Sequence, residues 1–129
     1  MEKVLMDPIL KLLIIDDDQD TLVAMEAYFT KRNYSVTAID SGLEALKLIE
    51  SQSQKFDIMI TDIVMPDVSG VAIISVAKRL TPNMPVIAIT GWGEHPQVLA
   101  SEAKADSVIK KPIELMKLER KIISLVLRR

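Results

Sequence analysis

The stretch "KLLIIDDDQDT", Lys11 to Thr21, sets four aliphatic residues directly against four carboxylates in five positions: Asp16, Asp17, Asp18 and Asp20. The short apolar run reads as a buried β-strand. Like charges side by side repel, and they raise one another's pKa unless a cation or a partner charge offsets them. Three chemistries use such a cluster: a calcium loop, an aspartyl phosphatase, and a metal-assisted phosphoryl acceptor.

Working outward, the same texture recurs. "LKLLII" (10–15), "YSVTAI" (34–39), "FDIMIT" (56–61), "PVIAIT" (85–90) and "DSVIK" (106–110) are short aliphatic runs, three of them nearly continuous, as in parallel strands covered on both faces. Between them the apolar spacing turns helical. "TLVAMEAYFTKR" puts Leu22, Met25 and Phe29 on one face, and Asn33 suits a left-handed turn at its end. "SGLEALKLIES" opens with Ser41 and Glu44 at capping-box spacing, with Leu43, Leu46 and Ile49 following. "GVAIISVAKRL" is almost all apolar and predicts a heavily packed helix. "HPQVLASEAKA" gives a short fourth helix interrupted by Pro96, and "PIELMKLERKIISLVLRR" a fifth that begins at Pro112. Right-handed crossovers turn this alternation into an open, doubly wound parallel sheet. One α/β domain is expected over residues 1–129, with 1–9 as an N-terminal extension.

Bulk properties narrow the function. The chain has 129 residues, enough for one domain with a real core. It has no cysteine, which excludes disulfides, zinc–thiolate sites and thiol catalysis. A net charge of -2 gives no footing for non-specific nucleic-acid binding. No apolar run approaches a membrane span, and "MEKVLMDP" is too short and polar for a signal peptide. The cytoplasm is the expected location.

The strand ends carry the polar chemistry. The first strand stops at Asp16, Asp17 and Asp18, the third at Asp62, the fourth at Thr90, and the fifth at Lys110 and Lys111. Sites in open α/β sheets form at the carboxyl ends of strands, where strand order reverses. If strands one and three flank that point, Asp17 and Asp62 face each other across a small acidic pocket. Carboxylates with only oxygen donors describe a Mg²⁺ site. Thr90 adds a hydroxyl and Lys111 a positive point charge, so the set can receive a phosphoryl group.

This constellation resembles the response-regulator receiver domain of two-component signalling, single-domain type. The matching segments are "IIDDD" (14–18), "DIMITDIVMPDVSG" (57–70), "VIAIT" (86–90) and "IKKP" (109–112), and they span nearly the whole chain. The resemblance implies a flavodoxin-like five-stranded parallel sheet, order 2-1-3-4-5, with five helices. It implies that Asp62 is the phosphorylated aspartate and that Asp17, Asp16, Asp62 and the backbone carbonyl of Val64 hold Mg²⁺. Thr90 and Lys111 would contact the phosphoryl oxygens, and the Lys111-Pro112 bond, often cis in the family, would aim the lysine inward. The donor would be a phosphohistidine on a sensor histidine kinase or a histidine phosphotransfer protein. Output would run to a downstream protein target, with no output domain in the chain and with a homodimer through helices 4 and 5 left open. Such a protein is not an enzyme beyond its own aspartyl phosphorylation and slow dephosphorylation.

The rivals fit less well. A calcium loop beginning at Asp16 needs glycine where Thr21 stands and glutamate where Ala27 stands. The phosphatase pattern Asp-x-Asp-x-Thr meets Asp20 or Leu22 where threonine is required. A phosphorylation-independent, receiver-like interaction module is the alternative from another class. The intact set of Asp17, Asp62, Thr90 and Lys111 argues against it.

Departures from the family gather after Thr90. Val108, preceded by Ser107, stands where many members carry an aromatic switch residue, and Lys104 stands where a glycine commonly ends the fourth helix. Trp92, Val98 and Leu99 are expected near a partner-contacting surface, and His95 in a surface loop. Val64 and Trp92, two residues after Asp62 and Thr90, carry no group that could orient water, so slow self-dephosphorylation is expected. Asp18 and Asp20 read as capping or first-turn acids, and Asp67 as a turn residue.

Overall fold

The computed structural model describes residues 8–91 and 104–129. Five strands, β1 (Lys11–Ile15), β2 (Ser35–Ile39), β3 (Ile58–Asp62), β4 (Val86–Thr90) and β5 (Ser107–Lys110), form one parallel sheet in the order β2-β1-β3-β4-β5. Four helices are described: α1 (Gln19–Lys31), α2 (Gly42–Ser51), α3 (Gly70–Leu80) and α4 (Leu115–Arg128). The helix expected in "HPQVLASEAKA" lies outside the described residues, as do Trp92, His95, Val98 and Leu99.

Alternation along the strands sorts the core into two layers. Leu13, Ile15, Met59, Val86 and Ala88 face α2 and α3. Leu12, Ile14, Ile58, Ile60, Ile87 and Ile89 face α1 and α4. Strands β3 and β4 are buried along their whole length, which is why they read as unbroken apolar runs.

The α1 stripe of Leu22, Met25 and Phe29 is buried as its spacing predicts, and Asn33 takes the left-handed conformation with φ 70°. Helix α2 differs. Its buried residues are Gly42, Ala45 and Ile49, while Leu43 is exposed, because the loop after β3 lies across its first turn and fixes which side faces in. Helix α4 starts at Leu115 with Glu114 as N-cap, three residues later than Pro112 suggests. Ile113 first packs into the α1 layer, and only then does the chain turn into the helix. No helix among the described residues is long and apolar enough to cross a membrane.

Candidate phosphoacceptor site

Strand register brings the polar ends together. Ile15 pairs with Thr61, so Asp16 and Asp62 are the next positions on neighbouring strands. Asp62 pairs with Ile89 and Thr90 with Lys110, which sets Thr90 and Lys111 one step further along the same rim. The chain leaves β1 toward β2 on one side, while β3 lies on the other, so this rim is where strand order reverses.

Asp16, Asp17 and Asp62 each offer a carboxylate oxygen within 4.8 Å of the others. Asp16 is fully buried and Asp62 nearly so, whereas Asp17 faces solvent. Lys111 reaches in across the Lys111-Pro112 peptide, which is cis, and its Nζ lies 3.2 Å from both Asp16 Oδ2 and Asp62 Oδ2. Backbone amides add two contacts: Asp18 N donates to Asp16 Oδ1 at 2.9 Å, and Val64 N donates to Asp62 Oδ1 at 3.2 Å.

The electrostatics are unbalanced. Burial pushes the Asp16 carboxyl up to about 6, and the Asp62 charge adds to that; the Asp18 amide and Lys111 oppose it without prevailing. Burial alone would lower the Lys111 ammonium, but Asp16 and Asp62 overcome this and raise it. Two buried polar atoms of the described residues make no hydrogen bond: Asp16 Oδ2 and Thr90 Oγ1. Orphaned polar atoms of this kind are rare in proteins, and both line the same rim. The donor set contains only oxygen, and it is incompletely compensated by one lysine. It therefore fits a hard divalent cation such as Mg²⁺, held by one or two carboxylates and waters.

The loop after β3 is shaped for the site. Ile63 and Met65 are buried while Val64 between them is exposed, and Gly70 N donates to Ile63 O at 2.8 Å. A Cβ at Gly70 would sit 2.1 Å from Asp62 O, so any side chain there would displace the backbone of Asp62. Asp18 holds the N-cap position of α1 but makes no capping hydrogen bond; its carboxylate accepts instead from Thr21 Oγ1 at 2.6 Å. Val108 is half-buried opposite Ala88. Lys104 takes the left-handed conformation, φ 66°, that the family's glycine would adopt without strain.

Asp67 is more than a turn residue. Its carboxylate accepts from Ser41 Oγ at 2.8 Å, Gly42 N at 3.2 Å, Leu43 N at 3.1 Å and its neighbour Val68 N at 2.8 Å. The Leu43 amide, then the Ser41 hydroxyl and the Val68 amide, hold it down to about 2. An aspartate between a proline and a glycine gives no hint of a partner 24 to 26 residues back.

Known proteins agree with this geometry. The family model of the response regulator receiver domain matches residues 12–123, and the chain belongs to that family. Among curated relatives, the response regulator SaeR of Staphylococcus aureus is 38% identical over 118 residues, 91% of this chain and 50% of that protein. The chain thus spans about half the length of the curated relatives it matches. Among solved structures, a CheY-like receiver domain protein from Methanospirillum hungatei JF-1 superposes with a TM-score of 0.85 at 29% identity, covering 92% of this chain and 94% of that one. A receiver domain protein from Clostridium thermocellum gives 0.84 at 30% identity, covering 93% and 96%.

Proposed function

We propose that this receiver domain accepts a phosphoryl group on Asp62 from a phosphohistidine of a sensor kinase or phosphotransfer protein. One observation carries the reading. Asp16, Asp17 and Asp62 converge within 4.8 Å beside a buried, unpartnered Thr90 hydroxyl and the Lys111 ammonium. An Asp62 carboxylate oxygen attacks phosphorus in line; the new O–P bond forms as the P–N bond breaks, and the electron pair leaves with the imidazole nitrogen. Lys111 holds positive charge where the phosphoryl oxygens arrive, and the free Thr90 hydroxyl can donate to one of them. Asp16, Asp17, Asp62 and the Val64 carbonyl would hold Mg²⁺, which when bound supplies charge neutralisation to the phosphoryl oxygens. The chain's own catalysis is limited to this acceptance and to slow hydrolysis of the mixed anhydride.

Output runs through protein contacts. Met116, Ile123 and Leu127 form an exposed apolar stripe along α4, and we assign it to a downstream target or a second copy of the chain. The cytoplasm, where such kinases deliver phosphoryl groups, is the location consistent with this chemistry.

The test is intact mass after incubation with Mg²⁺ and acetyl phosphate. One phosphoryl group is expected, absent without Mg²⁺ and absent in Asp62→Asn. No adduct, under conditions that label another receiver, would overturn the reading in favour of a phosphorylation-independent interaction module.

A further inference from the structure

Asp67 is spent on a bond set that reaches beyond its own loop. Residues 63–69 carry the backbone that follows Asp62, and this loop touches α2 through the Asp67 carboxylate on Ser41 Oγ, Gly42 N and Leu43 N. The two surfaces fit closely. A Cβ at Gly42 would lie 2.7 Å from Val68 O and 3.0 Å from Asp67 Oδ1. The tie continues: Asp40, the residue before Ser41, accepts from the side chain of Gln19, which opens α1 directly after the Asp16–Asp18 segment. Three loops at the carboxyl end of the sheet are therefore linked side chain to side chain, and two of them carry the acidic pocket.

We infer that Asp67 is a positioning residue for the phosphoacceptor site: by pinning the loop after β3 to the first turn of α2, it fixes Val64 and the Asp62 carboxylate relative to Asp16. The inference rests on the proposed role of Asp62. Its local part, that Val64 is held through Asp67, stands on geometry alone. Val64 N donates to Asp62 Oδ1, so its amide reports directly on the acceptor's orientation. A cap that served only α2 would leave this amide untouched.

The deciding measurement is amide hydrogen exchange on the whole chain, beside Mg²⁺ titration by calorimetry, for wild type and Asp67→Ala. Faster exchange is expected at Gly42, Leu43 and also Val64, with Mg²⁺ affinity falling about tenfold, the usual cost of losing a support behind metal ligands. Asp67→Asn keeps one acceptor oxygen but turns an NH2 against the donors that met the other, so it should restore only part of both. Gly42→Ala leaves Asp67 intact but wedges the loop away from α2, and it should move the same two readouts. If Asp67→Ala fails to fold, Ser41→Ala and Gly42→Ala carry the test. Faster exchange confined to Gly42 and Leu43, with Val64 exchange and Mg²⁺ affinity at wild-type values, would overturn the inference. A wild type that binds no Mg²⁺ and takes no phosphoryl group would instead sink the functional reading, while the Val64 exchange result would still decide whether Asp67 positions the loop.

Discussion

Two buried carboxylates lie on opposite terms with their surroundings. Glu119 on α4 accepts from Arg32 Nε at 2.9 Å, Tyr34 Oη at 2.9 Å and Tyr28 Oη at 3.1 Å. Burial would raise its pKa, but the Arg32, Tyr34 and Tyr28 donors overcome this and hold it low. Burial, reinforced by Glu119, pushes the Tyr34 hydroxyl up to about 12. Asp16, more deeply buried, meets Lys111 at Oδ2 as a charge 3.2 Å away with no hydrogen bond, and its carboxyl is pushed up to about 6. The first group is saturated and ties α4 to α1. The second is held by strand register beside Asp17 and Asp62, with Lys111 as the one cation against it. Burial of charge does not by itself mark a functional site; incomplete compensation is what makes Asp16 a candidate ligand and Glu119 not.

The sharpest way to break this contrast is to remove each carboxylate and compare signs. Glu119→Ala leaves the buried Tyr34 hydroxyl without its acceptor, while Arg32 and Tyr28 can turn to water, and should cost about 2 kcal/mol of folding stability. Asp16→Asn should do the reverse in metal-free buffer at pH 7.5, stabilising by about 1–3 kcal/mol, since a pKa displaced upward means the ionised form disfavours the fold. Denaturant titrations of both variants decide this, and equal losses would end the comparison.

The pH dependence follows with a fixed sign. The Asp16 carboxyl is raised from 3.8 to about 6, so the native state holds the proton more tightly than the unfolded chain between those values. Its contribution is fully present below pH 4 and is lost as pH rises through about 6. The advantage of Asp16→Asn over wild type should therefore be largest above pH 6 and vanish toward pH 4. Metal should narrow the gap between wild type and Asp16→Asn at neutral pH. At ten times its dissociation constant, Mg²⁺ adds about 1.4 kcal/mol to wild type and to Glu119→Gln. Asp16→Asn should gain almost nothing, as thermal unfolding with and without Mg²⁺ would reveal.

The acidic cluster was legible in the sequence for the reason that it is incompletely compensated. Four carboxylates closing an apolar strand have no local explanation, and the strand ends at Asp62, Thr90 and Lys111 supplied the rest. The sheet order was legible because five buried strands separated by helical spacing leave few topologies. Glu119 was not legible. A glutamate on an amphipathic helix ordinarily faces water, and its partners lie 85 to 91 residues away. A weak signal existed, because Glu119 follows Leu118 and precedes Ile122 within the stripe that the fold buries. Asp67 was hidden in the same way, by a partner in another loop. The inward face of α2 was misjudged at Leu43, since which side of an apolar helix faces in depends on the loop laid across it.

The smallest expected effect tests how independent the two carboxylates are. Tyr34→Phe removes one of three donors to Glu119 and leaves the ring against Phe29, with centroids 5.3 Å apart in an edge-to-face arrangement. The loss should be about 1 kcal/mol, that of one buried hydrogen bond to a group that keeps two other partners. Glu119 lies in the α1–α4 layer, and Tyr34 sits just before the start of β2, at the opposite end of the strands from Asp16. Mg²⁺ affinity and the rate of labelling by acetyl phosphate should therefore match wild type while the unfolding midpoint falls slightly. If Mg²⁺ affinity dropped along with stability, the α1–α4 contact would be part of the metal site's support. The Glu119 cluster would then have to be read as a functional element joined to the acceptor through α1.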